Sequence, residues 1–173
     1  MKPGCVRILG VDPSLRGTGF AVLEQGADKK IQALDYGVIR NAQALRQSSC
    51  LVAICDRLAE VIHKWEPDAA AFEAIIYVQS YRTAITLGAA RGAAILTAAQ
   101  RGLEIYEYAP RRVKQAVVGN GAAQKEQVAF MVRALLKLTE TPVADAADAL
   151  AIGLAHLQTR DARLMRGEPA QRL

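Results

Sequence analysis

A chain of 173 residues, 51% hydrophobic and 23% charged, can bury a core of its own and is too apolar to stay disordered. The net charge of +5 and isoelectric point near 9.3 are mildly basic, which suits a polyanionic partner such as nucleic acid without specifying one. The longest apolar segment, 84–99, is alanine-rich and broken by Arg91, so it reads as a packed helix and no membrane partner is expected. Cys5, Cys50 and Cys55 are odd in number and lack metal-ligand spacing, and the N-terminal residues look like neither a signal nor a transit peptide; both features read as a cytoplasmic protein with reduced thiols.

In chain order, Val6–Val11 is a nearly unbroken apolar run, as expected of a strand buried on both faces, and it ends on Asp12-Pro13. Gly17 and Gly19 fit a tight turn, with Phe20–Leu23 returning as a second strand and Lys30–Arg40 alternating as a third. Leu51, Ile54, Leu58, Ile62 and Trp65 recur at helical spacing with Arg57, Glu60 and Lys64 outward, and Pro67 ends that helix. His63 falls on its exposed side. Asp68–Glu73 is a short strand that again finishes on an acid, and alternation puts Ala69, Ala71 and Glu73 on one face.

After a linker over 75–82, a helix of roughly Thr83–Arg101 is nearly bare of side chains across Gly88, Ala89, Ala90, Gly92, Ala93 and Ala94. Each helical glycine costs about 1 kcal/mol relative to alanine, a loss that close backbone approach would offset, within the domain or across a dimer interface. Leu103–Tyr108 alternates as a fifth strand; Pro110 opens a basic stretch, Arg111-Arg112-Val113-Lys114, running to the turn Gly119-Asn120-Gly121. Gln124–Leu138 is amphipathic, with Val128, Met131, Val132, Leu135 and Leu136 inward. Thr141 and Pro142 suit the N-cap and first position of a last helix reaching about Thr159. Three antiparallel strands followed by alternating helices and strands predict an α/β domain with a mixed five-stranded sheet and helices on both faces. One domain over residues 1–160 and a mobile basic tail over 161–173 are expected.

Asp145 and Asp148, at i and i+3, share one face of the last helix, whose surroundings are otherwise apolar. Two acids on a helix that must lie on a sheet conflict with burial unless something cationic neutralises them. Asp12 and Glu73, on strand tips, are natural partners. Four clustered carboxylates would raise one another's pKa values until a divalent cation bound, and all-oxygen ligation points to magnesium or manganese. The same acids are also compatible with scattered solvated charges. Lys114, Lys125, Arg111, Arg112, Arg82 and Arg91 flank these segments and can hold phosphates; Tyr77 and Tyr81 can stack on a base or pack on the sheet edge. His156, roughly 12 Å along the helix from Asp148, reads as structural or as a support behind the acids.

The runs ILGVDPSLRGTGFAV, AAFEAI, TLGAARGAAI, YAPRRVKQAVVGNGAAQKEQV and ADAADALAIGLAH resemble, in order and spacing from about Val6 to His156, the RuvC family of Holliday-junction resolvases within the RNase H-like nucleases. The resemblance implies an RNase H-like fold, Asp12, Glu73, Asp145 and Asp148 as the catalytic metal-binding set, and Mg²⁺ as cofactor, two ions per site with Mn²⁺ as a substitute. It implies a homodimer that nicks four-way DNA junctions, phosphate contacts from Lys114 and Lys125, dimerisation through the small-residue helix, and RuvA and RuvB as partners. The chain departs from that pattern in Ser14 of the DPS turn, in Ser80, and in Ile76-Tyr77 where the family presents a phenylalanine wedge. Rival readings are a phosphotransferase of the actin and sugar-kinase type, a non-catalytic junction-binding protein, and a nuclease of the same fold acting on RNA or RNA–DNA hybrids.

Overall fold

The computed structural model describes residues 5–76 and 80–166, the last six by backbone alone. Strands β1 (Val6–Asp12), β2 (Gly17–Gln25) and β3 (Ile31–Arg40) form an antiparallel meander, and helix α1 (Gln47–Trp65) crosses to β4 (Ala69–Glu73), which pairs parallel with β1. Helix α2 (Tyr81–Ala99) leads to β5 (Glu104–Tyr108), parallel to β4, and helices α3 (Pro110–Val118), α4 (Lys125–Leu136) and α5 (Ala144–Arg166) follow. The sheet order is β3-β2-β1-β4-β5, the mixed five-stranded arrangement that the strand pattern predicts.

The pleat sorts β1 and β4 into two cores. Ile8, Ala69 and Ala71 face α3, α4 and α5; Leu9, Val11, Ala70 and Phe72 face α1 and α2. Each fully buried leucine, isoleucine or phenylalanine contributes about 1.5–3 kcal/mol, so the alternation determines which way every strand-borne side chain points. Asp12 and Glu73 continue the Ile8 and Ala71 rows, and both therefore fall on the α5 side.

Where the structure departs from the local pattern, a physical reason is visible. The basic stretch after Pro110 is a helix, with Pro110 at its first position, Val113 and Val117 buried one turn apart, and Gly119 closing it at φ 79°. Helix α5 starts at Ala144 and not at Pro142: its first helical bond runs from Ala147 N–H to the Val143 carbonyl. It continues to Arg166, past the expected end near Thr159. On α4, Val128, Val132 and Leu136 are buried, whereas Leu135 is exposed. Ser14 needs no left-handed backbone; its N–H donates to Thr18 Oγ1, and that hydroxyl donates to the Ser14 carbonyl at 2.6 Å. Ser80 caps α2 by accepting from Thr83 N–H.

Gly17 and Gly19 belong to β2, and neither has positive φ. Their role is close approach. A Cβ at Gly19 would stand 1.9 Å from the Asp145 carbonyl oxygen, and one at Gly10 would stand 2.2 Å from that of Ala149. The backbone of α5 thus rests directly on β1 and β2. Gly19→Ala is expected to destabilise the protein by about 2 kcal/mol or more in denaturant unfolding, since the clash is with backbone and not with a movable side chain; a variant as stable as the parent would contradict this packing.

Candidate active site

Three elements carry the four acids. Val11 of β1 pairs with Phe72 of β4, so Asp12 and Glu73, the next residue on each strand, end two adjacent parallel strands at the same edge of the sheet. Helix α5 crosses that edge with Asp145 in its first turn and Asp148 one turn further. Asp145 lies over β2: a Cβ at Gly17 would come within 2.8 Å of its Oδ2. Glu73 separates two adjoining clefts, one bordered by Asp12, Ile75 and Ile76, the other by Lys114, Lys125 and Asp148.

The electrostatics show that the acids share a field. Burial, then the charges of Asp148 and Glu73, and last that of Asp145, raise the Asp12 carboxyl to about 7, against the opposing pull of Lys125. Glu73 is raised too, by burial and by Asp148, with Lys125 and Lys114 pulling it down. Lys125, the first residue of α4, donates to Asp148 Oδ2 at 3.1 Å, and this bond, with the fields of Asp148, Asp12 and Glu73, raises its own pKa. A protein ammonium thus stands where the acids demand positive charge.

Among the described residues no three acid, histidine or cysteine side chains are drawn together closely enough to enclose an ion. The donor chemistry nevertheless fits a hard divalent cation: the donors are all carboxylate oxygens, burial and neighbouring carboxylates disfavour the ionised forms of Asp12 and Glu73, and a lysine is already drawn to Asp148.

Of the other sequence candidates, Lys114 and Lys125 border the Glu73–Asp148 cleft. Arg82, Arg111 and Arg112 are exposed, the Arg111 stem packing against Gly121. Ile76 is 70% exposed on the other cleft; Tyr77 lies outside the described residues, and Tyr81 is exposed on α2. His63 is exposed as expected; His156 is buried, its Nδ1 3.0 Å from the Tyr108 hydroxyl. Arg91 corrects the sequence reading, which set it among phosphate-holding cations. It turns inward, donating to the Glu73 carbonyl at 2.7 Å and to Glu107 Oε1, with its guanidinium over the Phe72 ring. A signal for this was present, because Arg91 stands three and seven residues before Ala94 and Ala98, on the buried side of its helix.

Residues 8–156 match the family model described as crossover junction endodeoxyribonuclease RuvC. A crossover junction endodeoxyribonuclease RuvC of Akkermansia muciniphila is 58% identical over 156 residues, covering 90% of this chain and 93% of the relative. A structure of T. thermophilus RuvC in complex with Holliday junction substrate superposes with a TM-score of 0.86 at 35% identity, covering 97% of this chain and 99% of that one. A second structure, of Thermus thermophilus RuvC, gives 0.83 at 33% identity, covering 97% of this chain and 100% of that one.

The raised Asp12 carboxyl yields a pH prediction for the protein stripped of metal by chelator. Between the unfolded value of 3.8 and the folded value of about 7, the folded state binds more protons, so stability falls as pH rises through that window. Asp12→Asn removes this cost, and its stabilisation relative to the parent is expected to grow by about 1–3 kcal/mol between pH 5 and pH 8 in chemical denaturation. A gain independent of pH would contradict the assigned field.

Proposed function

Because the chain belongs to the RuvC family of crossover junction endodeoxyribonucleases, we propose that it resolves four-way DNA junctions as a homodimer, each protomer nicking one of two symmetric strands through Asp12, Glu73, Asp145 and Asp148. The nuclease activity is that of the family. The assignment of residues rests on one observation: two adjacent parallel strands end on Asp12 and Glu73 at a single edge of the sheet, and the first turns of α5 bring the charges of Asp145 and Asp148 to bear on Asp12, and that of Asp148 on Glu73. That field argues against scattered solvated charges. Intact acids argue against a purely architectural junction binder, and the family match removes the sugar-kinase reading.

The cofactor in this reading is Mg²⁺, with two ions per site and Mn²⁺ as a substitute. Such ions would lower the pKa of a bound water and take up the charge on the leaving oxygen. The four carboxylates of the chain supply the oxygen donors. Lys114 and Lys125, beside Glu73 and Asp148, hold the phosphate flanking the cut, and Arg82, Arg111 and Arg112 extend that positive border along the DNA backbone. Water oxygen adds to phosphorus in line as the bond to the 3′ oxygen breaks and that oxygen gains a proton, leaving 5′-phosphate and 3′-hydroxyl ends. Ile76, exposed beside Asp12 and Glu73, suits an apolar wedge at the junction; Tyr77 next to it is the alternative.

The homodimer is supported by the outer face of α2. Ile85 and Leu96 are exposed on it, and a Cβ at Gly88 or Gly92 would meet nothing within 4 Å. Among the described residues nothing therefore offsets the cost of these two helical glycines, which favours the dimer interface of the two alternatives. Among the described residues no helix is long and apolar enough to cross a membrane. We place the protein in the cytoplasm, working with RuvA and RuvB.

Cleavage of a synthetic four-way junction in Mg²⁺ tests this reading, with linear duplex and RNA–DNA hybrid as controls. Paired nicks on the junction alone are expected, and Asp145→Asn is expected to lose cleavage by 10³-fold or about that while still binding the junction. Survival of cleavage in that variant would remove Asp145 from the site, and preferential cutting of the hybrid would change the substrate. Ile85→Glu with Leu96→Glu is expected to halve the mass seen by light scattering without unfolding the protomer; an unchanged mass would exclude this face as the interface.

A further inference from the structure

The arginine that the sequence pattern assigned to the DNA side is built into the framework of the site. Arg91 stands on the sheet-facing side of α2, its side chain 11% exposed. One guanidinium nitrogen, Nη1, donates to the backbone carbonyl of Glu73 at 2.7 Å, and the other terminal nitrogen, Nη2, donates to Glu107 Oε1 at 2.5 Å. The plane lies over the Phe72 ring, 5.5 Å from its centroid. All three contacts fall at the last turn of the pleat before the chain leaves the sheet: Phe72 and Glu73 end β4, and Glu107 lies beside them on β5.

The peptide joining Glu73 to Ala74 shows why this contact is needed. Its N–H, on Ala74, donates to the Tyr108 carbonyl of β5 at 2.8 Å. A trans peptide directs its carbonyl the opposite way, toward the side of β4 where β1 lies. The pairing of β1 with β4 has already ended there, at Val11 with Phe72. The Glu73 carbonyl thus points beyond the ladder, and Arg91 provides its donor. Glu107 in turn pairs with the guanidinium and orients its plane, which occupies the charge that a phosphate would otherwise draw.

We propose that Arg91 is a positioning residue for the nuclease site: it clamps the end of β4 to α2 and so holds the Glu73 carboxylate in register with Asp12. Arg91 itself touches neither DNA nor cation. The proposal rests on the reading of Glu73 as a cation-binding residue, and the experiment separates the two.

Mn²⁺ binding to the full-length protein without DNA is measured by calorimetry for the parent, Glu73→Gln, Arg91→Gln, Arg91→Lys and Glu107→Gln. Thermal unfolding and junction binding in chelator are recorded beside it. Arg91→Gln is expected to weaken Mn²⁺ binding about 5- to 20-fold with junction affinity in chelator changed less than about twofold. Arg91→Lys keeps the charge but cannot span both acceptors, and a partial loss of about two- to fivefold is expected; Glu107→Gln, which frees the guanidinium, should fall in the same range. These two variants decide the matter if Arg91→Gln does not fold. Unchanged Mn²⁺ affinity in variants that only melt earlier would reduce Arg91 to a stabilising contact and overturn the proposal. Unchanged affinity in Glu73→Gln would instead overturn the reading of Glu73.

Discussion

Helix α5 reaches the sheet backbone to backbone because Gly10 and Gly19 leave it room, and the position of the acids depends on this contact. Any side chain at these two positions would meet the carbonyl oxygens of Asp145 or Ala149 at distances no real Cβ tolerates. With the helix this close, Asp145 rests over Gly17, and Asp148 comes within reach of the charges on Asp12 and Glu73. A helix lifted by the width of a methyl group would still cover the apolar rows of β1 and β4. It would hold Asp145 and Asp148 further from the other two acids and weaken the field they share.

That proximity opposes folding electrostatically, since burial and like charges both disfavour ionised Asp12 and Glu73. The chain offsets the conflict in two ways. Lys125 brings an ammonium to Asp148 from the start of α4, and the hydrophobic packing of α5 against Ile8, Leu23 and their neighbours supplies the binding energy that keeps the acids together. Acids in this condition favour any positive charge brought to them, as Lys125 already is to Asp148, and such local conflict with burial is tolerated where the fold gains packing elsewhere.

The other face of the sheet serves a different purpose. Helices α1 and α2 cover Leu9, Val11 and Phe72, and α2 presents its inner side to β4 through Arg91 while its outer side carries Gly88, Gly92, Ile85 and Leu96. One helix therefore braces the strand end that bears Glu73 and displays the surface proposed for a second copy of the chain. Small residues serve opposite ends here: under α5 they admit a neighbour that is present, and on α2 they leave open a surface that no described residue fills.

Much of this was legible in the order of residues. Alternation put Glu73 on one face of β4 with Ala69 and Ala71, Asp12 and Glu73 were legible as acids on strand tips, the i, i+3 spacing put Asp145 and Asp148 on one face, and the motif order identified the family, because these features depend only on local backbone geometry and on chemistry close in sequence. That Asp12 and Glu73 share a side took the register of β1 with β4. The helical character of 110–118 was hidden by its charged residues, although Pro110, Val113 and Val117 carried the signal. Other features are decided by contacts between segments far apart in the chain. Gly17 and Gly19 resemble turn glycines until α5 is laid on them, more than a hundred residues later in sequence. Arg91 resembles a DNA-binding cation until the end of β4 offers it a carbonyl and β5 offers it a carboxylate. The sequence by itself determined which acids belong together and which elements carry them. Only the tertiary structure decided how closely they are held and that Arg91 is engaged inside the fold, because burial and pairing are properties of neighbours in space.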